Sequence, residues 1–172
     1  VGTVRDAGAV SVLYLDPSMR WSGSTFAQST PGVPGEPETG DEFGWSVTGF
    51  ALASNEFITF TVGTPKEDIG TLEDVGSAVS LAVRGAVVRG ATPLTQGGTW
   101  LGRAVPGTDE AGDYFGYALG WRTSDLGTAL LVGAPGEAIG SKRSAGNVTA
   151  FGVGQADASS MRSINEASPP FT

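Results

Sequence analysis

Short apolar stretches recur along the chain, each with alternating apolar and polar positions, rich in β-branched and aromatic residues, and closed off by Gly, Pro, Asn or Asp. That pattern predicts strands rather than helices. Segments 43–52 (FGWSVTGFAL), 57–62 (FITFTV) and 77–83 (SAVSLAV) form three of them, and a fourth is expected at 99–105 (TWLGRAV) or its neighbourhood. The series returns at 115–121, 128–132 and 147–153, with a weaker fourth member at 161–164. Ahead of both, 9–15 and 20–28 supply only a third and a fourth strand, so the expected count is two, four and four.

The strands belong to an internal repeat of about 70 residues. Residues 33–44 (VPGEPETGDEFG) and 105–116 (VPGTDEAGDYFG) share eight of twelve positions. Residues 62–70 (VGTPKEDIG) and 132–140 (VGAPGEAIG) repeat in the same order, with Val, Gly, Pro, Glu, Ile and Gly held. A third block occurs three times, at Asp6 to Val10, Asp74 to Val79 and Ser144 to Val148, each time just before an apolar run. A fixed period of this length marks stacked supersecondary units that share a core.

A four-stranded sheet with apolar side chains on both faces cannot bury them alone, and radial packing against neighbouring sheets is the natural solution. The expected fold is therefore all-β, part of a β-propeller with about two and a half four-stranded antiparallel blades. Residues 1–29 are the second half of an incomplete blade, 30–105 and 106–165 are full blades, and 166–172 form a C-terminal tail. The alternative is an antiparallel sandwich of about ten strands, which the alternation also allows but which has no reason to repeat its loops. The half blade at the start is expected to be completed by the remaining blades of the propeller. They would come from an upstream fragment of the same gene product, from separate copies assembling a ring, or from a longer chain of which this is a segment.

At Phe43-Gly44 with Gly63-Thr64-Pro65, and again at Phe115-Gly116 with Gly133-Ala134-Pro135, the sequence resembles the FG-GAP repeat family, the blade unit of integrin α-subunit heads and of many secreted bacterial proteins. The resemblance runs from Ala7 to about Val153, and segments similar to Gln28 to Gly35 precede a blade in secreted actinobacterial members. It implies a propeller fold, an extracellular location and a binding or adhesion role. Glycine after the aromatic allows backbones to approach closely, and Gly-Xaa-Pro turns the chain sharply, so these residues are expected to be scaffold. Asp41 and Asp113, two residues before the aromatic, suit Asx-type turns in which the carboxylate accepts backbone N–H bonds.

Many members of that family carry a calcium loop, Asp-Xaa-Asp-Xaa-Asp-Gly, between the first and second strands. The corresponding segments here, 49–56 (GFALASNE) and 120–127 (GWRTSDLG), hold a single carboxylate each. Calcium takes six to eight oxygens, so no bound metal is expected in either loop, and no cofactor.

Composition narrows the function further. The 172 residues are 40% hydrophobic, and 27 Gly with 10 Pro make turns frequent. Cysteine and histidine are both absent, which removes thiolate nucleophiles, imidazole bases and nearly all zinc chemistry. A net charge of −8 with 10 Lys+Arg argues against nucleic acid and anionic membranes as partners. No run of 18 apolar residues exists, so membrane insertion is not expected.

A serine nucleophile would need a lysine base, and Lys66 and Lys142, the only lysines, both follow the Gly-Xaa-Pro turn. The acid pairs Glu36 with Glu38 and Asp109 with Glu110 fit a solvated rim, so no catalytic residue is assigned. The expected function is a non-catalytic binding module for a protein or glycan ligand, with its ligand-binding residues unassigned. The alternatives are an accessory propeller of a secreted enzyme or toxin whose catalytic part lies elsewhere, and a lectin using exposed tryptophans. Of Trp21, Trp45, Trp100 and Trp121, most are expected in the core or between blades.

Overall fold

A computed structural model describes residues 3–15, 18–50, 57–124, 127–153, 161–165 and 167–168. Among these residues the regular structure is all β with no helix, every sheet is antiparallel, and isolated parallel bridges join Gly8 to Phe43 and Gly76 to Phe115. Strands β1 (Val10–Leu15) and β2 (Trp21–Phe26) form a two-stranded sheet. Strands β3 (Ser46–Phe50), β4 (Ile58–Thr64), β5 (Ser77–Arg84) and β6 (Val87–Leu94) form a four-stranded meander in sequence order. A small hairpin, β7 (Thr99–Trp100) with β8 (Arg103–Ala104), leads to a second meander of β9 (Ala118–Ser124), β10 (Gly127–Ala134), β11 (Asn147–Val153) and β12 (Met161–Ile164).

The fourth strand of the first meander is not 99–105 but β6, whose Leu94 and Val87 pair with Ala78 and Arg84 of β5. Gly90 and Pro93 weaken its local strand signal, yet β6 lies at the edge, where the N–H that proline lacks has no neighbour to meet. Segment 99–104 turns back on itself instead, because Leu101 and Gly102 both hold positive φ, 48° and 78°, in a two-residue turn. The first strands also begin later than the apolar pattern implies. Glu42 and Gly44, like Tyr114 and Gly116, sit at φ between 56° and 97°, which ends any extended run before β3 and β9.

The apolar residues gather between successive sheets. One core joins Phe26 of β2 to Phe43, Phe60, Val62, Val79, Leu81 and Val83. The second joins Ala78 and Leu94 to Phe115, Leu130, Val132, Ala134 and Phe151, with Trp100 of the small hairpin closing it edge-on against Phe151 at 5.5 Å between ring centroids. Strand β5 serves both, since Ala78 faces one core while Val79, Leu81 and Val83 belong to the other. Within β10 the alternation of Leu130, Val132 and Ala134 buries one face only. The single carboxylates of the two candidate calcium loops, Glu56 and Asp125, lie outside the described residues, as does most of the tail from 154 onward.

Candidate functional site

Where one sheet meets the next, the main chain forms a seam that occurs twice. In the first, Gly40, Glu42 and Phe43 donate their N–H groups to the carbonyls of Arg5, Asp6 and Ala7 at 3.1, 3.0 and 2.9 Å. In the second, Gly112, Tyr114 and Phe115 donate to Glu73, Asp74 and Val75 at 3.0, 3.2 and 2.9 Å. The glycine after each phenylalanine turns back to its own sheet: Gly44 donates to Gly63 and Gly116 to Gly133, both at 3.1 Å. The acceptor loops are alike in conformation, with Asp6 and Asp74 at φ 56° and 54°.

Close approach at the seam excludes side chains. A Cβ on Gly63 would lie 2.0 Å from the Gly116 carbonyl oxygen, and one on Gly76 would lie 2.4 Å from that of Phe115. Ser46 adds a hydroxyl hydrogen bond of 2.6 Å to the Gly116 carbonyl. The Phe-Gly and Gly-Xaa-Pro residues are thus packing elements of the seam.

Asp41 and Asp113 are buried, and each carboxylate accepts the N–H three residues upstream, from Glu38 at 2.6 Å and Glu110 at 2.8 Å. Burial pushes Asp113 up to about 6 and raises Asp41, with neighbouring acids adding to both. Two further acids, half-buried Glu67 and buried Glu137, were not singled out from the sequence. Glu67 accepts from the amide of Gln28, and Glu137 from that of Gln96, one repeat apart. Burial drives Glu67 up to about 7 and raises Glu137, while the glutamine hydrogen bond pulls in the opposite direction. The glutamate was visible as a held repeat position; its partner was detectable only as the recurrence of Gln28 at Gln96. The Gln28 and Gln96 amide oxygens are buried with no hydrogen-bond partner among the described residues.

The acid pairs of the rim divide. Glu36, Glu38 and Glu110 are exposed, whereas Asp109 is half-buried and accepts the Gly97 N–H at 2.8 Å. Lys66 pairs with Glu42 at 2.8 Å. Among the described residues no group of three or more acids is placed to hold a metal ion.

The tryptophans divide between the core, the seam and the surface. Trp100 is buried and Trp121 packs against the second core, but Trp21 and Trp45 are 69% and 51% exposed. Trp45 and its repeat counterpart Tyr117, 45% exposed, lie with ring centroids 5.3 Å apart, forming a continuous aromatic surface across the second seam. The sequence could not separate these rings from core ones, because Trp45 sits beside the same Phe-Gly motif whose phenylalanine is buried.

Against known proteins, a scan of protein-family models finds no match to this chain, and a search of curated proteins likewise finds none.

Proposed function

We propose that this chain is a run of FG-GAP-type β-propeller blades acting as a non-catalytic, extracellular binding module for a protein or glycan partner. The twice-occurring seam supports the propeller part: equivalent sheets joined through equivalent hydrogen bonds stack by one repeated operation, which is how radial assemblies are built. A sandwich would join its two sheets through one interface without such repetition.

The observation that carries the binding part is the Trp45–Tyr117 pair. Two large rings held side by side and open to solvent offer flat apolar area with polar edges, the kind of surface that anchors protein partners and stacks on sugar rings. The same pair favours the lectin form of this reading, and it names residues that the sequence left unassigned. Further blades are the expected structural partners of the outer sheets; nucleic acid and membrane insertion are not part of the reading.

The test is a glycan array and a panel of extracellular matrix proteins probed with the intact chain and with Trp45→Ala. Binding that Trp45→Ala abolishes supports the reading. Absence of any binding, or binding that the variant leaves unchanged, would sink the assignment of this surface.

A further inference from the structure

The acceptor loop of the seam exists in a third copy. Ser144 holds φ 50° and Gly146 φ 79°, against 54° and 83° at Asp74 and Gly76. Gly146 donates to Glu137 at 3.0 Å just as Gly76 donates to Glu67 at 3.0 Å, and the Ile139–Lys142 bridge repeats that of Ile69 with Leu72. The loop is therefore formed and in register.

Nothing among the described residues docks on it. No backbone N–H there donates to the Arg143, Ser144 or Ala145 carbonyls, although their counterparts at Glu73, Asp74 and Val75 each receive one. Ala145 is only half-buried, whereas Val75 and Ala7 are buried. A Cβ on Gly146 would meet its nearest neighbour at 3.6 Å, in place of the 2.4 Å at Gly76. On Gly133 it would meet only Ala118 of its own sheet at 3.5 Å, in place of the Gly116 oxygen at 2.0 Å from Gly63. The space left is an open groove of about 410 Å³ lined by Tyr117, Gly133, Pro135, Gly146 and Asn147. Among them Gly133, Gly146 and Asn147 match Gly63, Gly76 and Ser77, which Phe115-Gly116 covers on the preceding sheet.

We infer that this groove is a docking site for a Gly-Asp-Xaa-Phe-Gly segment of a Phe-Gly repeat unit lying outside these 172 residues. Within the chain both such segments, at Gly40 to Gly44 and Gly112 to Gly116, are already engaged in seams, so a second folded copy has none to offer. The incoming segment places its first glycine, its variable residue and its phenylalanine on the carbonyls of Arg143, Ser144 and Ala145, and sets its last glycine against Gly133. One interaction is missing, because Ala118 stands where Ser46 supplies a hydroxyl. The inference rests on the stacking part of the proposed function and not on its ligand part.

The test is nuclear magnetic resonance of the isotope-labelled chain titrated to millimolar concentration with a peptide of residues 110–119 (EAGDYFGYAL). Saturable shifts confined to the Gly133, Ala145, Gly146 and Asn147 amides are expected, absent with a peptide whose phenylalanine is replaced by alanine. Gly133→Ala fits the open groove without strain, so it should fold normally and weaken peptide binding by about tenfold or more. Ala118→Ser should tighten it. No shifts, shifts elsewhere on the surface, or unchanged affinity in Gly133→Ala would overturn the docking site; Tyr117 borders both this groove and the ring pair, but the glycan and protein panel is read through Trp45→Ala and so succeeds or fails separately.

Discussion

The N–H of Phe115 donates to the carbonyl of Val75 at 2.9 Å, and one repeat earlier Phe43 makes the same bond to Ala7 at the same length. A single contact between residues far apart in sequence thereby becomes the rule by which successive sheets are joined. Its energetic weight lies in the ring it positions, since Phe115 and Phe43 are both buried in the cores that the sheets share.

Phe115→Ala should cost about 3–5 kcal/mol, the range for a phenylalanine removed from a close-packed core that cannot fully collapse. Urea unfolding followed by tryptophan fluorescence would measure it. A loss under about 1 kcal/mol would mean that the seam does not depend on this ring.

Gly63→Ala and Gly133→Ala occupy equivalent positions and should behave differently. The first drives a methyl group into the Gly116 carbonyl and should destabilise by about 1–3 kcal/mol. The second meets only ordinary contact with Ala118 and should stay within about 0.5 kcal/mol. Matched thermal melts of the two variants would decide it, and equal losses would contradict the covered and open versions of the seam.

Stability should decline as pH rises from mildly acidic to neutral. Glu67 moves from an ordinary 4.5 to about 7, and Asp113 from 3.8 to about 6, both chiefly by burial. A raised carboxyl binds its proton more tightly folded than unfolded, so its contribution is complete below the ordinary value and is lost as pH climbs through the folded one. The window is therefore about pH 4.5 to 7. Glu67→Gln, which keeps the hydrogen-bonding shape without the charge, should flatten this decline and raise the urea midpoint at pH 7.5. A wild-type midpoint that rises across the window would refute the assignment.

Trp100→Ala and Trp45→Ala should separate packing from surface. Trp100 closes the second core against Phe151, and its loss should cost about 3–5 kcal/mol. Trp45 contributes a solvent-open ring pair with Tyr117, worth about 0.5–1.5 kcal/mol at most. Acrylamide quenching of single-tryptophan variants offers an independent check, with strong quenching at Trp45 and weak quenching at Trp100.

By itself the amino-acid sequence determined the repeat, the all-β antiparallel character, most strand positions and the turn role of Asp41 and Asp113. These are local properties: alternation, β-branched content and turn chemistry act over a few residues, and the repeat multiplies their signal. Only the tertiary structure decided that β6 rather than 99–105 is the fourth strand, because an edge strand tolerates Gly90 and Pro93, and the signal at Trp100 came from a ring that packs on the next sheet. It also decided which tryptophans face solvent and that half-buried Glu67 and buried Glu137 each accept a hydrogen bond from a glutamine. Those outcomes depend on what lies across a seam, from partners some 40 residues away such as Gln28 for Glu67, and no local period encodes that distance.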